Sequence, residues 1–142
     1  MNIELEMVLR LVLATFLGAV IGFQREWTGK EAGMRTNMLI CLGAALFTVL
    51  SIYAFAGSDP ARIAAGVATG IGFIGAGVIL HRTGGIVVGL TSAATIFAVA
   101  AIGMAAGAGM YYLAPAGTVL VLITLLLPHV RKPQDKNKTG DN

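Results

Sequence analysis

The stretch GFQREWTGKEAGMRTN, residues 22–37, holds the densest set of groups able to do chemistry in this chain: Arg25, Glu26, Lys30, Glu31 and Arg35, followed by Thr36 and Asn37. Carboxylates among cations suit charge-assisted pairing, and a guanidinium can fork into a carboxylate such as Glu26 or cap the carbonyls of an adjacent helix. The run Arg35-Thr36-Asn37 leads directly into an apolar segment, where a solvated loop would already have ended. A specific site or a buried polar network is therefore expected at Arg25, Glu26, Arg35, Thr36 and Asn37. The competing account is a solvated loop whose cations only orient the chain.

Other chemistry finds little support. GIGFIGAG, residues 70–77, spells G-x-G-x-x-G, but a dinucleotide fold needs an acidic residue about twenty positions on, and no carboxylate lies between Asp59 and Asp135. A phosphate-binding loop needs a lysine after its glycines, and none lies between Lys30 and Lys132. His81 and His129 fall at expected helix ends with no carboxylate nearby in sequence, and Ser51, Ser58 and Ser92 lack a nucleophile context such as G-x-S-x-G. Cys41 is the only cysteine, which rules out an intrachain disulfide or a multi-cysteine metal site. No catalytic residue and no cofactor is expected.

The elements that must position these residues are membrane helices. Hydrophobic residues make up 56% of the chain, charged residues 12%, and the mean hydropathy is +0.82. A helix rising about 1.5 Å per residue needs about 20 mostly apolar residues to cross a hydrocarbon core about 30 Å thick. Five segments qualify or nearly do: Leu5 to Phe23, Met34 to Ala56, Arg62 to Leu80, Gly89 to Gly107 and Tyr111 to Pro128. The fold class expected is all-α, a polytopic membrane helical bundle of about five spans. Glu4 and Glu6 stand where a signal peptide would carry positive charge, so the first segment reads as a retained span.

Charge placement sets the expected orientation. Arg25, Lys30, Arg35, Arg82, Arg131, Lys132, Lys136 and Lys138 share one side of five alternating helices, with Arg62 opposite and Arg10 inside the first span, read as a snorkelling or Glu-paired end residue rather than a conduction element. The N-terminus is expected outside and the C-terminus in the cytoplasm. The formal charge of +3 is thereby assigned to topology and the lipid bilayer, not to nucleic acid. Residues 1–130 read as one membrane domain, and 131–142, RKPQDKNKTGDN, as a disordered basic cytoplasmic tail. Trp27, Tyr53, Tyr111 and Tyr112 fall near helix ends, where amphipathic rings favour the interface.

Helix packing gives the glycines a role. At 100° per residue, Gly66, Gly70 and Gly77 share one face of the third helix within about 40°, while Gly72 and Gly75 lie nearly opposite. Small residues let backbones approach closely in lipid, so a helix smooth on both sides is expected in the middle of the bundle. The first helix has one stripe, with Arg10, Ala14, Gly18 and Gly22 stepping by four, and the fourth ends in the spacing Gly103 to Gly107.

Three blocks, GFQREWTGKEAGMRTNMLICLGAALF, RIAAGVATGIGFIGAGVIL and VGLTSAATIFAVAAIGMAAGAG, with their spacing, resemble the MgtC/SapB family of bacterial inner-membrane proteins associated with magnesium homeostasis. The resemblance covers about residues 18 to 109. It points to Arg25, Glu26, Gly33, Arg35, Thr36, Arg62, Gly70, Gly72, Gly75, Gly77, Gly89, Leu90 and Thr95, and it singles out Thr91, where some members carry a polar residue such as Asn. The family commonly shows a glutamate at Gln24, an arginine at Val88 and a tryptophan at Phe97, and its long members add a soluble C-terminal domain. The resemblance implies a multi-pass protein of the bacterial inner membrane with a link to magnesium. Mg²⁺ usually binds through one or two carboxylates with several waters retained, yet the expected interiors of spans two to five contain none. The expected function is support of magnesium or membrane-potential homeostasis through contacts with other membrane proteins or a second copy. The alternative is a Mg²⁺ or H⁺ transporter or channel using an unwound third helix, with Mg²⁺ as ligand or transported ion.

Overall fold

The computed structural model describes residues 2–55, 57, 59–82 and 86–127. Five helices run in order: α1 Ile3–Trp27, α2 Met34–Tyr53, α3 Pro60–Val78, α4 Leu90–Gly107 and α5 Leu113–Leu126. The first four are long and apolar enough to cross a membrane. With 14 residues, α5 is shorter than the expected fifth span and reaches only about 21 Å at the helical rise. Proline at N1 and the Asp59 carboxylate, accepting from Ala61 N–H at 2.9 Å, start α3. The expected tail, 131–142, lies outside the described residues, as do His129 and Ser58.

The sequence pattern does not announce one element. Leu80–Arg82 (β1) pairs antiparallel with Ile86–Val88 (β2) in the α3–α4 connection, where the β-branched run Ile86-Val87-Val88 favours an extended backbone. Gly89 closes it at φ +88°, and a Cβ there would run into the Val78 carbonyl oxygen. Glycine is the residue that fits both demands.

The centre of the bundle is α4, not α3. Packed against the other four helices, α4 buries Ile96, Val99, Ala100, Ile102 and Ala106. Its last two glycines explain why: a Cβ on Gly103 would strike the Cys41 carbonyl, and one on Gly107 would lie 2.5 Å from the Ala45 carbonyl oxygen. Gly18 and Gly22 set the α1–α2 approach in the same way, each with a Cβ position 2.6 Å from α2 backbone. By contrast α3 is peripheral, with only Ile71 and Gly75 buried. Gly75 faces Ala93 of α4, whereas added Cβ atoms on Gly66, Gly70, Gly72 and Gly77 meet nothing within 4 Å. The expectation of a central α3 is corrected: small residues on two faces permit close approach on both, but only the Gly75 face is packed closely, against α4, and the Gly66–Gly70 face borders open space. Outward-facing Phe16, Phe23, Leu39, Phe47, Phe73 and Leu120 give the bundle an apolar exterior suited to lipid.

Candidate functional site

The buried stripe of α1 begins and ends in arginine: Arg10, Ala14, Leu17, Gly18, Ile21, Gly22 and Arg25. These repeat at intervals of three and four, so both guanidiniums are turned into the bundle on the face that meets α2 and α4.

At one end, Arg10 is 8% exposed and fully engaged. Its Nη2 donates to Glu6 Oε1 at 2.5 Å, its Nη1 to the Gly107 carbonyl at 3.1 Å and its Nε to Tyr111 Oη at 3.3 Å. Tyr111 Oη in turn donates to Glu6 Oε1 at 3.2 Å. The Tyr53 and Tyr111 ring centroids lie 5.6 and 6.0 Å from the guanidinium carbon, within cation–π range. Gly109, at φ +78°, lets the α4–α5 turn pass against that guanidinium, since a Cβ there would lie 2.9 Å from Arg10 Cζ. Arg10 is thus a Glu-paired residue, one form of the end-residue reading from sequence.

At the other end lies the cluster expected from sequence, and the structure divides it. Arg25, Asn37 and Thr95 are buried, whereas Glu26, Arg35, Thr36, Arg62 and Thr91 are exposed. Glu26 does not pair with Arg35. Its Oε2 accepts from Met34 N–H at 2.9 Å, capping α2 where the N-cap residue, Gly33, has no side chain. Arg35 and Thr36 make no side-chain hydrogen bond or ion pair with the described residues. Asn37 is fully buried, and its Nδ2 holds the α1–α2 connection by donating to the carbonyls of Ala32 and Gly33 at 2.7 and 2.8 Å. Thr95 turns back onto its own helix, donating to the Thr91 carbonyl at 2.7 Å. Arg62 sits at the start of α3, at the opposite end of the bundle from Arg25.

Arg25 is 3% exposed and its side chain makes one hydrogen bond among the described residues, from Nη2 to Ser92 Oγ at 2.5 Å in the first turn of α4. Its Nε, the Asn37 Oδ1 and the Gln24 Oε1 are buried without a hydrogen-bond partner among the described residues. Sequence reasoning weighed Ser92 only as a nucleophile and missed it as the partner of Arg25. The two lie 67 residues apart, and no local spacing joins them. Among the described residues, no group of three or more His, Cys, Asp or Glu side chains is placed to hold a metal ion.

A third feature is a groove of about 990 Å³ between α2 and α3. Leu39, Phe47, Ile63, Val67 and Ile74 line it, with Gly43, Gly66 and Gly70 on its walls and Asp59 and Arg62 at one end.

Long apolar helices, a lipid-compatible exterior and arginines drawn into the helix interfaces define a polytopic helical membrane protein. Within that class, the family model described as MgtC matches residues 11–132, and the chain belongs to the MgtC family. It is 50% identical over 132 residues to YhiD of Escherichia coli (strain K12), covering 87% of this chain and 61% of YhiD. It is 45% identical over 120 residues to the protein MgtC of Salmonella typhimurium (strain LT2), covering 84% of this chain and 51% of that one. An uncharacterized Synechocystis protein is 43% identical over 118 residues, with 83% and 50% covered. The chain thus spans about half to three-fifths of the length of these relatives. No solved structure matches it.

Proposed function

We propose that this chain, in the bacterial inner membrane, supports magnesium or membrane-potential homeostasis by contact with another membrane protein or a second copy of itself, made across the α2–α3 groove. The supporting observation is α3 itself: an unbroken helix from Pro60 to Val78 whose Gly66 and Gly70 border open space beside an apolar groove. Where lipid supplies little hydrophobic drive between helices, such small residues let a partner backbone approach closely. The magnesium link rests on the family resemblance and on YhiD, which is named as a candidate magnesium transporter.

That name also favours a second reading, transport of Mg²⁺ or H⁺ by the chain. Transport along the glycine-rich helix would use an unwound stretch with free carbonyls, and the continuity of α3 argues for contact instead. Two measurements separate the readings. In a strain lacking the protein, Gly70→Leu is expected to reach wild-type membrane levels by immunoblot but to fail in rescuing low-magnesium growth, because an added Cβ there meets nothing within 4 Å while the longer side chain fills the groove. Full rescue by Gly70→Leu removes the groove from the function. Substantial Mg²⁺ or H⁺ flux by purified protein in liposomes at a modest protein-to-lipid ratio replaces the contact reading with the transport one.

A further inference from the structure

A buried guanidinium is costly to desolvate and usually has a carboxylate beside it. Arg10 has one; among the described residues Arg25 has none within ion-pairing distance. What Arg25 meets instead is the N-terminal turn of α4, an 18-residue helix, through Ser92 Oγ. The N-cap of that helix is Gly89, and no side chain caps the turn. Unsatisfied backbone N–H groups there carry partial positive charge. A cation and a positive helix end are thus held together, with a buried Arg25 Nε directed at no protein acceptor. Two such groups repel each other unless a negative charge lies between them.

We propose that Arg25, the Ser92 hydroxyl and the first turn of α4 form a binding site for a phosphate group, carried either by an anionic phospholipid headgroup or as free inorganic phosphate. Helix N-termini present N–H groups to phosphate oxygens, and the planar guanidinium matches them with its fork of donors. The Ser92 hydroxyl accepts from Arg25 and keeps its own hydrogen to donate. The turn itself lies at the surface of the bundle, where Leu90 is 65% exposed and Thr91 is exposed. The depth suits a headgroup, since Arg25 lies two residues before the end of α1, where Trp27 is 82% exposed. The site is separate from the α2–α3 groove and does not rest on it.

The test uses the full chain in a non-ionic detergent, with the melting temperature followed against inorganic phosphate in one arm. The other arm uses mixed micelles of phosphatidylglycerol, with phosphatidylcholine as the reference. Wild type is expected to gain thermal stability in at least one arm; a response to phosphatidylglycerol alone assigns the headgroup, and a response to inorganic phosphate assigns the free ion. Arg25→Gln is expected to lose that response, and Ser92→Ala to weaken apparent affinity about 10- to 150-fold, the range of one hydrogen bond to a charged group. Arg35→Gln, which removes an exposed cation from the same end, is expected to respond as wild type. No response from wild type in either arm overturns the site. So does equal loss in Arg35→Gln and Arg25→Gln, because the response would then be diffuse surface charge. If Arg25→Gln does not yield folded protein, Ser92→Ala decides, and an unweakened response there overturns the proposal.

Discussion

Arg10 and Arg25 stand on the same face of the same helix, 15 residues and about 22 Å apart, and the protein treats them in opposite ways. The three donor nitrogens of Arg10 find a carboxylate, a carbonyl and a phenol, drawn from α1, α4 and the α4–α5 turn. Arg25 finds one serine hydroxyl and no carboxylate among the described residues. Buried charge that is fully paired ties elements together, whereas buried charge that lacks a partner does not gain the fold enough to explain its presence. The difference separates an arginine that ties the architecture together from one whose proposed role is to hold a phosphate group.

The sharpest way to break this comparison is to replace each arginine by methionine, which keeps the apolar stem and removes the charge. Arg10→Met is expected to cost about 2 to 3 kcal/mol of stability, because charged hydrogen bonds are lost and their acceptors stay behind. Arg25→Met is expected to change stability by less than about 1 kcal/mol in either direction in phosphate-free, lipid-free detergent, since the desolvation cost leaves with the charge. Denaturant or thermal melts of both variants check this, and equal losses dissolve the distinction. A smaller effect tests whether the Arg10 network acts as a unit. Tyr111→Phe keeps the ring over the guanidinium but removes the hydroxyl that accepts from Arg10 and donates to Glu6, and about 1 kcal/mol is expected to go. Loss of no measurable stability would mean that the Arg10–Glu6 pair stands by itself. The smallest effect is expected at Arg35, which is exposed and unpaired among the described residues: Arg35→Lys is expected to shift stability by less than about 0.5 kcal/mol. A loss above about 1 kcal/mol in the same melt would place Arg35 in a contact that the exposed side chain does not show.

Much of this molecule is legible in its residues. The apolar runs place α1, α2, α3 and α4 within a few residues of their observed bounds, because a helix that crosses a bilayer must satisfy every backbone group internally and be apolar over a set length. The four-residue stepping of Arg10, Ala14, Gly18 and Gly22 marks a face that the fold does bury, and the Gly103–Gly107 spacing marks another. The polar cluster was legible as a neighbourhood but not as a set of partners. Glu26 is drawn to an uncapped helix start, not to Arg35, because the free N–H groups of α2 appear only once the connection has folded back.

The sequence by itself determined that the chain is a bundle of apolar helices, which faces of α1 and α4 are small enough to pack closely, and where ionisable groups cluster; these follow from length, hydropathy and a local period of 3.6 residues. Only the tertiary structure decided that α4 and not α3 is central, that Arg10 reaches Gly107 and Tyr111 while Arg25 reaches Ser92, and that the glycines of α3 border open space. Those outcomes depend on which residues distant in the chain arrive beside a given face, and a helical period states what a face can accept without stating what comes to meet it.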